Sequence, residues 1–336
     1  MPLSPAAVQD DPARACTHPV LDAADLGTQA PVGVRLLEED WVLWRDAAGQ
    51  AWAAPDRCPH RGARLSLGRV GDGALACPYH GWRFGAGGAC VLVPAVPGWV
   101  PPASHGLRAV PVLDACGLLW LRPDGRPAQP PAFAAEADLR LRKLNVGPYE
   151  VATSAPRIVE NFLDMAHFSF VHAGWLGDEA HAAVQPHAVS VSAEAGLWAQ
   201  GCQAWQPQSN RLSTEGSWVA YDYRVPAPFT AVLEKAPDAQ AGYRESIALF
   251  IQPQGQEACR VWFRLAVPDF ESGDAQLRAF QDTIFAQDAP VLLSQRPRRL
   301  PLTEAAPVQE VHCAADRSSA AYRRYLRALG WRWGVC

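Results

Sequence analysis

The sequence predicts an α+β protein of two domains, the first of them all-β. Three observations carry this expectation. At 336 residues the chain is longer than one hydrophobic core usually serves. From Val32 to Arg122, short apolar runs such as Trp41-Val42-Leu43-Trp44 are broken by turn signals such as Ala47-Ala48-Gly49-Gln50 and Gly71-Asp72-Gly73, the signature of a small β unit. Beyond it the pattern becomes mixed, with helical periodicity first, long β-like runs next and helices again at the end, which suits an α+β domain.

The β unit closes at Leu118-Leu119-Trp120-Leu121. The stretch from Arg122 to Ala135 holds four prolines and few large apolar residues, so it reads as a linker and sets expected domains of 17–125 and 126–336. In the second domain a helix is expected around Arg157 to Val171, strands between Val189 and Val267, a helix from about Asp274 to Gln295, and a last one near Arg317 to Leu329 capped by Asp316. Hydrophobic residues at 49% and charged residues at 19% are ordinary for a folded soluble protein. The net charge of −4, with no basic cluster interleaved with aromatics, excludes a nucleic-acid footprint. Met1 to Ala15 contain acids and prolines and no apolar centre, which is no secretory signal. No run of about 18 apolar residues is present to span a bilayer. These features predict a cytoplasmic location, where nine cysteines mean metal ligands and inert thiols rather than disulfides.

Cys58-Pro59-His60-Arg61-Gly62 and Cys77-Pro78-Tyr79-His80-Gly81-Trp82 are the strongest signal. Each offers one thiolate and one imidazole from a turn, and a hairpin through Gly71 and Gly73 brings the turns together. Such a set holds either one zinc ion or a two-iron cluster with both thiolates on one iron and both imidazoles on the other. Structural zinc sites usually pair Cys with Cys and His with His in short spacings, whereas each loop here mixes the two, which favours the cluster. Cys90 and Cys116 lie outside the pattern and read as structural thiols.

The second signal is Glu160-Asn161-Phe162-Leu163-Asp164-Met165-Ala166-His167-Phe168-Ser169-Phe170-Val171-His172. On a helix Asn161, Asp164 and His167 form one polar stripe. His172 lies five residues beyond His167, about 140° round an ideal helix, so the imidazoles converge only where the helix widens or ends, and Gly174 suits an ending. Two histidines and a carboxylate make the facial triad of non-heme iron(II) oxygenases. The helix from Asp274 offers Asp282 and Asp288. Asp288 shares a face with Leu277, Ile284 and Val291, whereas Asp282 sits on the wetter side. A carboxylate on an apolar stripe requires a compensating charge, so Asp288 is the expected ligand. Glu160 reads as solvated.

With these residues in view, the chain resembles Rieske non-heme iron oxygenases over nearly its whole length. The first two loops look like those of Rieske proteins, and Asn161, Asp164, His167 and His172 match the pattern N-x2-D-x2-H-x4-H. Gln287-Asp288 ahead of Ser294-Gln295-Arg296-Pro297 resembles the segment supplying that family's third ligand. The resemblance implies a Rieske β-sandwich followed by a helix-grip catalytic domain, a [2Fe-2S] cluster on Cys58, His60, Cys77 and His80, and mononuclear Fe(II) on His167, His172 and Asp288. It further implies a head-to-tail homotrimer in which His80 of one subunit hydrogen-bonds to Asp164 of the next, with Asn161 close to the iron. The short single-chain form looks like the branch containing vanillate, dicamba and caffeine demethylases and toluenesulfonate methyl monooxygenase. That branch implies O2-dependent oxidation of a methyl, O-methyl or N-methyl group on a ring, with cis-dihydroxylation as the alternative. No glycine-rich dinucleotide fingerprint opens a βα unit, so NAD(P)H electrons are expected through a separate reductase or ferredoxin. A Rieske electron carrier or a zinc-stabilised binding module are the readings from other classes, and both leave Asp164, His167, His172 and Asp288 without a purpose.

The remaining histidines, His18, His105, His181, His187 and His312, lack ligand spacing and are expected at the surface or satisfied in the core. Arg317, Arg323, Arg324 and Arg327 on the last helix read as a solvated face before a docking one. The 13 tryptophans are expected to fill cores.

Overall fold

A computed structural model describes residues 11–336; most of the segment read as lacking a secretory signal lies outside the described residues. The chain divides into two compact units, one ending at Pro131 and the other running from Ala132 to Cys336.

The first unit is built from short strands: β1 (His18–Asp22), β2 (Val32–Leu36), β3 (Glu39–Arg45), β4 (Ala51–Pro55), β5 (Arg69–Gly71) and β6 (Ala74–Ala76). They are followed by β7 (Arg83–Phe84), β8 (Cys90–Leu92), β9 (Val110–Pro111), β10 (Leu113–Ala115) and β11 (Leu118–Leu121). Three antiparallel sheets result, ordered β1-β11-β10, β2-β3-β4-β9 and β5-β6-β7-β8. The apolar runs Trp41–Trp44 and Leu118–Leu121 are buried at every position, because both faces of these strands are covered. Two-residue hairpins with both central residues at positive φ join β2 to β3 (Leu37-Glu38), β5 to β6 (Asp72-Gly73) and β10 to β11 (Cys116-Gly117), the geometry that matches strand twist. Trp44, Leu65, Leu75 and Phe84 pack with Cys58 and Cys77 into one core. Fully burying each such side chain contributes about 1.5–3 kcal/mol, so the two cysteine loops are anchored by apolar packing beneath them.

His18 in β1 is buried, and its Nε2 lies 2.7 Å from the Ala13 carbonyl oxygen. Burial holds its pKa down to about 4 against an unfolded value of 6.5. The folded state therefore favours the neutral ring. The contribution is complete above pH 6.5 and is lost as pH falls towards 4, amounting to about 3 kcal/mol. Urea denaturation at pH 7.5 and pH 4.5 should show this loss in the native protein and a smaller one in His18→Gln; equal pH dependence of the two proteins would refute it.

The second unit contains β12 (Arg142–Val151), β13 (Ala188–Ser192), β14 (Gly196–Gln206), β15 (Ser217–Ala227), β16 (Thr230–Pro237), β17 (Glu245–Gly255) and β18 (Ala258–Val267). They form a seven-stranded antiparallel sheet in the order β12-β18-β17-β16-β15-β14-β13. Alternation is clear in β15, where Val219, Tyr221, Tyr223 and Val225 are buried and the residues between them are not. The helices are α1 (Ala155–Leu163), α2 (Phe168–Val171), α3 (Asp274–Ser294) and α4 (Arg317–Ala328). The architecture is α+β, as expected.

Four details differ from the sequence reading. The helix expected from Arg157 to Val171 is two helices, interrupted at Asp164, whose φ of −82° and ψ of 133° are extended. Asp316 does not cap α4; its Oδ2 instead accepts the Cys313 N–H at 2.6 Å, because a 3-10 turn precedes the helix. Arg323 and Glu160 are not solvated: Arg323 is buried and donates from Nε and Nη2 to the two Glu160 oxygens at 2.6 and 2.9 Å. Glu310 accepts from Arg157 and Arg323, so a buried charge network ties α1 to α4. Finally, Val291 is exposed and Leu292 is buried instead, because Leu292, four residues beyond Asp288, continues the buried face of Gln281, Ile284 and Asp288. Among the described residues no helix is long and apolar enough to cross a membrane.

Candidate metal centres and substrate pocket

The two cysteine loops fold alike. Cys58 N–H donates to Ala63 O at 2.8 Å and Gly62 N–H to Cys58 O at 2.9 Å. In the second loop Cys77 N–H donates to Trp82 O at 2.9 Å and Gly81 N–H to Cys77 O at 3.1 Å. Both glycines have φ near +70°, a conformation that a side chain would strain. The thiols are buried, while the His60 and His80 rings are exposed with centroids 4.6 Å apart. Trp82 stacks on His60 at 4.7 Å and on His105 at 5.4 Å. Burial, reinforced by neighbouring Cys77, pushes the Cys58 thiol up to about 11, so a thiolate here requires a compensating cation. A single tetrahedral zinc would need four donor atoms within about 4 Å of one another. With the two thiols buried beneath and the two imidazoles paired above them, the mixed quartet fits a two-iron cluster that takes the thiols at one end and the imidazoles at the other.

In the second unit the break at Asp164 is what makes the second site. The chain leaves α1 extended and re-enters a helical turn at His167, which precedes α2, and His172 follows α2. This ending, rather than a widened helix, brings the imidazoles together, with Nε2 atoms 3.2 Å apart. Asp288 projects from α3, and its Oδ1 lies 3.4 Å from His167 Nε2 and 3.3 Å from His172 Nε2. The outer nitrogens are occupied: His167 Nδ1 lies 3.3 Å from Asp164 Oδ2, and His172 Nδ1 lies 2.8 Å from Gln287 Oε1. Protons therefore belong on both Nδ1 atoms, so two Nε2 lone pairs and a carboxylate oxygen point at one another. Three converging acceptors repel unless a cation lies among them, and two imidazoles with one carboxylate suit non-heme iron(II). Asn161 Nδ2 donates to Asp288 Oδ1 at 3.3 Å. Asp164 Oδ1 also accepts the Ala166 N–H at 2.9 Å, closing the turn into α2. Burial works to raise the Asp164 pKa, but its bonds from His167 and Ala166 prevail and hold it below the ordinary carboxylate range.

Every residue singled out for this site comes together. Asp282 does not: it is exposed on the other side of α3 and accepts a hydrogen bond from Tyr149. In the sequence Gln287 stands out only as Asp288's neighbour, because its contact with His172 spans 115 residues. Gln287→Leu is expected to lower mononuclear iron affinity by about 10–100-fold, the usual effect of removing an outer partner of a ligating histidine. Iron retention during chelator dialysis measures it, and unchanged retention would show that Gln287 does not orient His172.

The three metal-site side chains open onto a cavity enclosed by α1, α3 and one face of the sheet. Phe162, Phe168, Phe263 and Phe285 supply flat apolar walls, and Leu249 and Ile284 fill between them. A pocket walled by aromatic rings and ending at this ligand set suits a planar ring substrate.

Comparison with known proteins agrees with this geometry. Residues 16–111 match the family model of the Rieske [2Fe-2S] domain, and residues 151–331 match that of the vanillate O-demethylase oxygenase C-terminal domain. The methylxanthine N1-demethylase NdmA of Pseudomonas putida is 32% identical over 94% of this chain and 87% of its own length. The N3-demethylase NdmB of the same organism is 29% identical with the same coverages. The structure of NdmA with caffeine superposes with a TM-score of 0.81 at 30% identity, over 94% of this chain and 90% of that one. Dicamba monooxygenase shares the fold, with a TM-score of 0.80 at 23% identity, over 94% of this chain and 97% of that one. The chain belongs to the Rieske oxygenases, oxidoreductases that carry a [2Fe-2S] cluster and a non-heme iron, use O2, and receive electrons from NAD(P)H through a reductase.

Proposed function

We propose that this chain is a terminal oxygenase that oxidises a methyl group on an aromatic or heterocyclic ring. The observation that carries the reading is the convergence of His167, His172 and Asp288 at the wall of an aromatic pocket. The N-demethylases NdmA and NdmB, which match along almost the whole chain, support this reading. For an N- or O-methyl substrate the reaction consumes O2, two electrons and two protons, and yields the demethylated ring, formaldehyde and water. For a carbon-bound methyl group the product is the hydroxymethyl ring.

In this reading a Rieske domain spanning 17–125 holds the cluster on Cys58, His60, Cys77 and His80, and a catalytic domain spanning 126–336 holds iron on His167, His172 and Asp288. When bound, the iron supplies O2 activation with electrons relayed from the cluster. Asp164 and Gln287 orient the two imidazoles, and Asn161 steadies the Asp288 carboxylate. The phenylalanine walls hold the ring and exclude water from the reacting methyl group. The exposed imidazoles, the neighbouring Tyr79 at 62% exposure and the Asp164 side chain at 31% are free to meet another subunit. We assign His80 and Asp164 to facing sides of a contact in a cytoplasmic homotrimer, served by a separate flavin and iron–sulfur reductase or a ferredoxin.

The test supplies purified holoenzyme with a surrogate reductase and NADH, then measures formaldehyde from methoxy-, N-methyl- and methyl-substituted rings. Formaldehyde formed in step with substrate loss supports demethylation, and a hydroxymethyl product supports methyl oxidation. A ring diol as the only product would replace both with cis-dihydroxylation.

A further inference from the structure

The two cluster imidazoles differ in what covers them. His80 lies against Tyr79, with ring centroids 3.8 Å apart. His60 instead begins a series of rings within the first unit. Trp82 stacks on it with the planes 5° apart, His105 stacks on Trp82 at 10°, and Trp99 meets His105 edge-on at 5.2 Å. The His105 ring is carried by a short 3-10 turn, Ala103–His105, and Leu107 N–H donates to Gly88 O at 2.8 Å just beyond it. Trp99, expected with the other tryptophans to fill a core, is 45% exposed, and Val96 and Val100 beside it are exposed too. The series therefore runs from a cluster ligand to the surface.

The charges around this series are of one sign. Residues 57–112 contain six arginines and a single acid, Asp72, in a chain whose net charge is −4. Arg64 is bound to the buried Asp56, and Arg83 lies 3.8 Å from Asp72. The other four, Arg57, Arg61, Arg69 and Arg108, are exposed and have no ion pair among the described residues. Spread thinly along the sequence, they flank the cluster loops in the fold. The Arg57 side chain lies over the Gly62 turn, Arg61 follows His60 directly, and Arg108 stands three residues beyond His105. An aromatic centre rimmed by unpaired arginines has the composition of a protein-docking surface, and its charge selects an acidic partner. A Rieske centre takes up one electron at a time, so a partner docking on its ligand is a one-electron carrier.

We propose that the Trp82–His105–Trp99 stack is the electron entry face of the first unit, and that its arginine rim docks an acidic ferredoxin-type [2Fe-2S] domain. The inference rests on the oxygenase reading above and divides the work of the two imidazoles. His60 is the ligand on the receiving side, and His80 is the one that faces Asp164. In the transfer one electron passes from the reduced donor to the oxidised cluster, the donor is left oxidised, and no bond or proton moves. Packed rings shorten the gap that the electron crosses, while the exposed arginines steer the encounter and hold the donor's acidic surface. Trp99 makes the contact, and Trp82 and His105 are positioning residues behind it.

Two measurements with the holoenzyme and an acidic plant-type [2Fe-2S] ferredoxin test this. Calorimetric titration of the two oxidised proteins at low salt should show binding that Arg61→Glu and Arg108→Glu each weaken at least about tenfold. Anaerobic mixing with reduced ferredoxin should show slower cluster reduction in both variants, while photoreduced deazaflavin, too small to dock, reduces them at the native rate. His105→Leu should bind ferredoxin normally yet accept electrons several-fold more slowly at saturating donor. His105→Phe, which keeps a ring in the stack, should restore the rate. No binding by the native protein, undiminished binding in both arginine variants, or an unchanged limiting rate in His105→Leu overturns the proposal. Equal slowing with deazaflavin also overturns it, since the cluster itself would then be altered. Arginine variants that sediment as smaller species would assign the face to a subunit contact and overturn it too. The expected pattern without an oxidised product from any methylated ring would sink the oxygenase reading and leave the entry face standing. Oxidised product alongside undiminished ferredoxin binding in both arginine variants would do the reverse.

Discussion

Asp288→Ala is expected to strip the mononuclear iron from the protein while leaving the cluster's visible absorbance unchanged. Among the described residues Asp288 is the one carboxylate whose oxygen lies within 3.4 Å of both His167 and His172 Nε2 atoms. Removing it leaves two neutral imidazoles, too few ligands to hold iron(II) in a facial arrangement. Changes to outer partners of metal ligands already cost about 10–100-fold, so loss of a ligand should lower turnover by more than about a hundredfold. Iron quantified per protein, alongside the cluster spectrum, separates this from general unfolding. The companion variant Asp282→Ala should keep its iron, because Asp282 is exposed and engaged with Tyr149. Full iron in Asp288→Ala, or loss of iron in Asp282→Ala, would exchange their roles.

The features most legible in the sequence were those in which a few residue types are forced into short spacings. Cys58-Pro59-His60 and Cys77-Pro78-Tyr79-His80 could be read without a structure because each loop must close on itself and present its ligands together. The Asp72-Gly73 hairpin was legible for a similar reason, since those residues accept positive φ. Leu37-Glu38 makes the same kind of turn with φ values of 51° and 63°, and no local rule marks it. Leu37 is 1% exposed, so core burial offsets a strain of about 1–2 kcal/mol. The break at Asp164 was only half legible: the awkward spacing of His167 and His172 demanded that the helix end, but not where. Asp288 followed from its apolar stripe on α3, whereas Gln287 and the buried Lys235–Glu245 ion pair of β16 and β17 did not. Their partners come from distant segments, and a buried charge pair in alternating strands looks like any two polar residues until the register is known.

Asp164→Asn should retain both metals yet lower turnover by about a hundredfold, an effect that isolates the charge of Asp164 from its geometry. The side chain performs two tasks that alanine would remove together. Oδ1 closes the turn into α2 through the Ala166 N–H, and Oδ2 accepts from His167 Nδ1. Asparagine keeps one carbonyl oxygen to close the turn, but it has no charge and offers an amide where the second oxygen was. If Asp164 also links to a cluster histidine of a neighbouring subunit, that contact weakens as well, and electron delivery slows even though iron remains bound. Rapid mixing of the dithionite-reduced variant with O2 and substrate, following cluster reoxidation, reads that step directly. Slow reoxidation with full iron content supports the relay, and reoxidation at the native rate excludes it. In Asp164→Ala the turn is lost too, so iron retention should fall as well; if the two variants behave alike, turn closure contributes nothing and the charge alone matters.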